Sequence, residues 1–247
     1  MVLDALGSKG VWQRTSEPVR IAEARASVIE RATNEIQEDR VVKIALPQFT
    51  DKPVSQFDWE CMAISDTFIV TASCRPGEPI QQQLFHQLGN HLCLLYANAL
   101  REGLAFRGAI SVGSFYKVAG TLLGPAVDEA AWWHDKTDWV GAILTPSAEH
   151  QLEMVYADDS KFADFFYPKW NIPFKPGVGG VNRALGWPSP PGKDDRTQRQ
   201  LIADILLQPP VIDDVATKYR NTIAFWDQVM RTRYDPSTYA QLRVGRP

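Results

Sequence analysis

No stretch of this 247-residue chain stays apolar for anything near the twenty residues that a bilayer-spanning helix needs, so no transmembrane helix is expected. Cysteine is scarce. Cys61, Cys74 and Cys93 are odd in number and never stand at the paired spacing of a metal knuckle, so they read as reduced, buried thiols of a cytosolic protein. The four histidines, His86, His91, His134 and His150, form no HxxxH or HExxH pattern, which argues against a zinc site. Neither sign of charge dominates: the formal net charge is −3, so no bulk basic field points to nucleic acid or an anionic membrane. There is no internal repeat and no low-complexity tract. The opening MVLDALGSKG has neither the basic start nor the long apolar stretch of a secretory leader, and a cytoplasmic location is expected.

The composition that remains is that of an ordinary globular protein, 45% apolar and 22% charged, long enough for one large domain or one domain with an extension. MVLDAL predicts a short strand that breaks at GSKG. Ser16, Glu17 and Pro18 open a helix, with Ser at a cap position and Pro in the first turn, and apolar residues recur at helical spacing to about residue 39. VVKIAL (41–46) reads as a strand, AISDTFIV (63–70) as the middle of a hairpin and RPGEP (75–79) as a turn. Residues 80–102 form a strong helix with Leu84, Leu88, His91, Leu92, Leu95 and Ala99 on one face, stopped by Gly103. A strand follows over 104–116, with Gly108 in its middle marking a close backbone approach. The chain then turns at Gly120 and at Gly124-Pro125, where a helix begins; a strand over 139–145 leads to a helix starting at Pro146.

That order of elements is an α+β pattern. Residues 1–155 are expected to form the core. Residues 156–247 are expected to be a loop-rich, proline-rich extension packed on it, with helices over roughly 195–207 and 213–232.

Two acids stand at strand breaks. Asp4 lies where the first strand meets the GSKG loop, and Asp66 lies at the hairpin turn. If the two strands are neighbours, both carboxylates converge at one sheet edge, and carboxylates about 3–5 Å apart repel unless a divalent cation sits between them. A GSKG loop offers backbone N–H groups and a lysine to phosphate oxygens, although the Walker spacing is absent. Metal plus phosphate cradle is the equipment of phosphoryl chemistry. The competing reading of an Asp in a tight turn is that it bonds its own backbone.

LDALGSKG, ISDTFIV, LAFRGAISVGSFY and GTLLGPAVDEAAW, in that order, resemble the class III nucleotide cyclase catalytic domain with its ferredoxin-like palm. More narrowly they are similar to the bacterial pyrimidine cyclases of the Pycsar antiphage system. The resemblance covers roughly residues 1–150 and implies a mechanism. Two Mn²⁺ or Mg²⁺ ions are held by Asp4, Asp66 and the backbone carbonyl of Ala5, and the ribose 3′-hydroxyl attacks the α-phosphate. Leu6, Gly7 and Ser8 cradle phosphates through their backbones, and Arg107 pairs with the triphosphate; the competing reading of Arg107 is a salt bridge at a strand edge. The implied enzyme is a uridylate cyclase making cyclic UMP from UTP, with CTP as the next candidate substrate. Its product acts on a separate effector in antiphage defence, and its sites are shared across a homodimer. Leu122, Leu123 and Trp132–Trp133 offer a candidate partner face, with core packing as the alternative for the tryptophans.

The chain also departs from the family pattern. Met62 and Thr121 stand where adenylate cyclases carry the charged pair that reads adenine, which implies a less charged base pocket. Trp132 stands where a transition-state arginine is common, with His134, Lys136 and Lys117 nearby as other cations. Only Val2 and Leu3 precede Asp4 after the initial Met1, where the family's first strand begins several residues earlier. The strand is therefore expected to be short or to be preceded by further residues. The missing arginine keeps a second reading open, that of a non-catalytic cyclase-like module that binds nucleotide or a partner protein. No GGDEF-like signal supports a diguanylate cyclase.

Overall fold

The computed structural model describes residues 1–5, 18–37, 58–64, 67–73, 82–157, 160–188, 198–207 and 213–234. Within them the chain order is β1 (Val2–Ala5), α1 (Pro18–Gln37), β2 (Asp58–Ile64), β3 (Thr67–Ser73), α2 (Gln82–Arg101), β4 (Phe106–Ile110), β5 (Tyr116–Val118), β6 (Thr121–Leu123), α3 (Pro125–Trp133), β7 (Gly141–Leu144), α4 (Pro146–Val155), α5 (Ser160–Phe166), α6 (Gln198–Leu206) and α7 (Asp213–Tyr234). The expected strand at 41–46, the turn at 75–79 and the hairpin tip Ser65-Asp66 lie outside the described residues.

The fold is α+β. Five strands form one mixed sheet in the order β2-β3-β1-β4-β7, antiparallel except for the β4–β7 pair, and β5 with β6 forms a separate ribbon. The first six elements run βαββαβ. Their sheet order places β1 between β3 and β4, an arrangement compatible with a ferredoxin-like palm.

Strand alternation divides the sheet into two faces. Leu3, Phe68, Val70 and Phe106 point to one face and are buried against α2. There the Phe106 ring meets Phe68 at 4.7 Å and Tyr96 of α2 at 6.3 Å, both edge-on. Burying side chains of this size contributes about 1.5–3 kcal/mol each. Helix α2 is buried over more than the expected single face: Phe85, His86, Gln87, Tyr96 and Asn98 are covered as well. The reason is that α1 packs on one side of it while α5 and α6 pack on another. Its end is as expected, with Gly103 in a left-handed conformation at φ 76.

Two expectations are corrected. The predicted strand over 104–116 ends at Ile110. Its partner β7 ends opposite, at Leu144, and Pro146 opens a helix there. Beyond Ile110 serine hydroxyls take part in place of the strand ladder: the Val112 N–H donates to the Ser147 hydroxyl at 3.0 Å, and the Ser111 hydroxyl donates to the Ala126 backbone carbonyl at 2.5 Å. Residues 116–118 then belong to the ribbon. The second correction is α5, formed where only loop was expected. Its Phe162 and Phe166 rings lie 5.0 and 5.7 Å from the His86 ring of α2. Gly89 leaves room for this approach, since a Cβ there would sit 2.9 Å from Phe166.

Residues after 155 share the same core. Tyr167, Trp187, Ile202, Phe225 and Val229 are all buried in the cluster that contains Leu3 and Phe106. The segment around Ala184 runs beside the outer edge of β7, with the Leu144 N–H donating to the Arg183 carbonyl and the Leu185 N–H to the Ala142 carbonyl, at 2.9 and 2.8 Å. Such cover removes an exposed strand edge. Among the described residues no helix is long and apolar enough to cross a membrane.

Gly108 carries the closest approach in the sheet: a Cβ there would lie 2.3 Å from the Val2 carbonyl oxygen and 2.4 Å from Leu3 Cδ2. We predict that Gly108→Ala lowers unfolding free energy by about 1–3 kcal/mol, measured by urea denaturation. An unchanged midpoint would show that β1 and β4 give way freely.

Candidate functional site

Asp4 is the penultimate residue of β1, the central strand, and the register gives it two neighbours. Thr67 of β3 is opposite on one side and Arg107 of β4 on the other. Directly opposed residues of an antiparallel pair share a face, so Ile64, Thr67, Asp4 and Arg107 form one row across four strands. That row lies on the face turned away from α2. Thr67 is the residue that follows Asp66 in the chain; Asp66 itself, with Leu6, Gly7 and Ser8, lies outside the described residues.

The row is built around an ion pair. Arg107 Nη2 donates to Asp4 Oδ2 at 3.1 Å, and Nη1 donates to the Thr137 carbonyl at 3.1 Å. Arg107 is 8% exposed, and its Nε is buried without a hydrogen-bond partner. A guanidinium this far from water requires a counter-charge, and Asp4 supplies it. Ala5 ends β1 opposite Phe106.

The two residues assigned to the base pocket fall on the same side of the molecule. Met62 shares the Asp4 face by alternation, two strands away and two residues along, roughly 12 Å in Cα terms. Thr121 begins β6 and is exposed on the ribbon. Lys117 of β5 ties that ribbon to the same face through an ion pair with Glu60 of β2. The ribbon turns through Ala119 and Gly120, both at positive φ.

The cations near Trp132 are not equivalent. Lys117 is committed to Glu60. Lys136 pairs with Asp135 at 3.0 Å and sets its ammonium 4.9 Å from the centre of the Trp132 ring. His134 Nδ1 faces the Ala131 carbonyl of its own helix. The two tryptophans separate: Trp132 is 54% exposed, whereas Trp133 is 9% exposed and packs on Phe174, so it belongs to the core.

A further group of charges stands beside the pair and was missed in the sequence. Thr137, whose carbonyl receives Arg107, begins a segment gripped by distant parts of the chain. The Asp138 N–H donates to the Pro173 carbonyl, and Asn221 Nδ2 of α7 donates to the Asp138 carbonyl, at 2.9 and 2.8 Å. Lys218 of α7 lies 2.5 Å from Asp214 and 3.9 Å from Asp138. The Asp214–Lys218 spacing of four residues was legible as a helical pair. Its meeting with Asp138 was not, because some eighty residues separate them. The hydrogen bond from Lys218, with the nearby charges of Lys218, Lys175 and Arg107, holds the Asp214 carboxyl below its ordinary value, against the opposing effect of burial.

The donor chemistry bears on a metal. Carboxylate oxygens suit Mg²⁺ or Mn²⁺, and Asp4 offers a carboxylate in a row that leads directly to Thr67. Among the described residues there is no group of three or more His, Cys, Asp and Glu side chains that could hold an ion. The fit therefore depends on Asp66 joining Asp4.

Two outcomes are expected of the charge network. In a double-mutant cycle of Asp4→Ala and Arg107→Ala, urea denaturation should give a coupling energy of about 1–3 kcal/mol. Additive losses would mean the pair contributes nothing. Asp214 has a folded pKa depressed below its ordinary 3.8, so its contribution is present above that value and lost as pH falls through the folded one. Asp214→Asn should flatten the acid limb of the stability profile below that pH and leave the neutral region nearly unchanged.

No family model matches the chain, and no curated protein or solved structure is similar to it, so the site has to be read from its own residues and geometry.

Proposed function

We propose that the protein is a nucleotidyl cyclase that converts UTP into 3′,5′-cyclic UMP and pyrophosphate, with CTP the alternative substrate. The observation that carries this reading is the register of the central strand: Asp4 lies directly opposite Thr67, the residue after Asp66, and beside the guanidinium of Arg107. Acid, acid and arginine are the groups that metal-assisted phosphoryl transfer needs at one place. The βαββαβ order of the sheet is compatible with the same reading.

In this proposal Asp4 and Asp66, with the Ala5 carbonyl, hold two Mg²⁺ or Mn²⁺ ions. When bound, those ions would lower the pKa of the ribose 3′-hydroxyl and neutralise charge on the α-phosphate. The 3′-oxygen forms a bond to the α-phosphorus as the bond to the β-phosphate oxygen breaks. Pyrophosphate leaves, and the hydroxyl proton passes to solvent. Arg107 pairs with the triphosphate, and Leu6, Gly7 and Ser8 offer backbone N–H groups to it. Met62 and Thr121 border the base. A homodimer is part of the proposal. Leu123 and Trp132, at 50% and 54% exposure, support a partner surface that includes the ribbon, and the product would act on a separate effector in antiphage defence.

A second reading, a nucleotide- or partner-binding module without turnover, is favoured by one observation. The position of the expected transition-state arginine is Trp132, and the cation on its ring is Lys136. The two readings separate in one experiment. Each of the four nucleoside triphosphates is incubated with the protein and Mn²⁺, and products are identified by mass. Cyclic UMP and pyrophosphate are expected, and Asp66→Ala should abolish both. Thermal stabilisation by nucleotide with no product from any of the four would favour the binding module and end the cyclase proposal.

A further inference from the structure

The Asp4 carboxylate is the first group the proposed site needs, and it is already engaged. Arg107 Nη2 donates to its Oδ2 at 3.1 Å, and the register of β1 and β4 sets the two residues directly opposite each other. The arginine is held where it stands. Its Nη1 donates to the Thr137 carbonyl at 3.1 Å, and its side chain is 10% exposed. Thr137 is fully buried, in a segment gripped on both flanks. The Lys175 N–H donates to the Lys136 carbonyl and the Asp138 N–H to the Pro173 carbonyl, both at 2.9 Å. Asn221 Nδ2 of α7 donates to the Asp138 carbonyl at 2.8 Å. Among the described residues no other carboxylate forms an ion pair with Arg107. A guanidinium this far from water therefore keeps Asp4 as its counter-charge. The Asp4 side chain is 23% exposed, so the carboxylate still meets solvent.

A fixed cation in contact with a carboxylate repels a second cation from it. Asp4 and Asp66, taken with Arg107, leave the proposed site only a small net negative charge. That is too little to hold two dications unless anionic phosphates arrive with them. We infer that Arg107 is the resting counter-ion of Asp4, and that it keeps a free divalent cation off the carboxylate until the cation arrives as its complex with a nucleoside triphosphate. This inference rests on the proposed cyclase site and gives that site an order of binding. Arg107 acts here through Asp4, as a positioning residue that holds the carboxylate and offsets its charge.

The test measures Mn²⁺ bound to the full chain by equilibrium dialysis, alone and with 3′-deoxy-UTP or 3′-deoxy-CTP, which lack the attacking hydroxyl. Asp4-dependent binding is the part that Asp4→Asn removes. In the wild type it should be weak with Mn²⁺ alone and about tenfold tighter with one of the nucleotides. Arg107→Gln should tighten the binding of Mn²⁺ alone about tenfold, because one solvent-screened like charge is gone. Arg107→Lys keeps the charge and should stay at the wild-type value. An arginine that served only the fold would give no gain in the Gln variant. Circular dichroism and melting temperature establish that each variant is folded. A folded Arg107→Gln that binds Mn²⁺ no more tightly than the wild type overturns the inference. If that variant does not fold, the wild type decides: Asp4-dependent binding as tight without nucleotide as with it, or absent from both, overturns the inference, and binding that needs the nucleotide upholds it. Turnover is scored separately by product mass. Cyclic product from a chain whose Mn²⁺ affinity ignores residue 107 keeps the cyclase and ends the counter-ion. An Asp4-dependent gain in Arg107→Gln, with no product from any nucleotide in the wild type, keeps the counter-ion and ends the cyclase.

Discussion

A guanidinium and a carboxylate face one another across β1 and β4, in the middle of a sheet, with little water around the arginine. Neither charge is tolerable there alone: an unpaired buried ion costs several kcal/mol, and the pair recovers that cost only when its geometry and remaining donors are satisfied. Arg107 meets the condition by donating in two directions, to Asp4 and to the Thr137 carbonyl. The second bond carries the constraint outward. It fixes the segment that leads into β7, and α7 grips that same segment through Asn221 and Thr222. The central strand, the edge of the sheet and the last described helix thus meet at one end of the molecule.

The two faces of the sheet answer to different demands. On the α2 side, Leu3, Phe68 and Phe106 are fully buried, and their packing needs nothing polar. On the other side, the row from Ile64 to Arg107 mixes an exposed apolar residue, a hydroxyl, a carboxylate and a guanidinium. A face that only had to be covered would not carry an ion pair in its central strand. The contrast across one four-residue strand, Leu3 buried and Asp4 half-buried, separates an apolar packing face from a polar one.

Much of the fold was legible because local signals and tertiary packing agree. The hairpin arms around Ser65-Asp66, the stop of α2 at Gly103 and the helix starts at Pro125 and Pro146 follow from turn chemistry and periodicity that hold in any context. The misreadings occur where a distant partner decides. The stretch 104–116 has the apolar texture of one strand, but it stops where β7 stops and Ser147 and Ala126 offer other hydrogen bonds. Ser160–Phe166 lies in a proline- and glycine-rich region, yet it is helical because Phe162 and Phe166 find the His86 side of α2. The candidate site divides in the same way. Asp4 and Arg107 stood out as residues, but 103 positions separate them, and nothing local says that they are opposite one another. The spacing of Asp214 and Lys218 reads as a helical pair, but nothing local places Lys218 beside Asp138, eighty positions away.

By itself the amino-acid order determined the elements whose causes are local: the period of the apolar residues, the glycines that end helices and the prolines that begin them. It also placed an acid next to the last residue of the first strand, one position before Ala5. Only the tertiary structure decided which charges meet. Strand register is a long-range choice, made by the burial of Leu3, Phe68 and Phe106 on the opposite face. It is this apolar packing that brings Asp4 level with Arg107 and Thr67, and that draws α7 to the same end of the sheet.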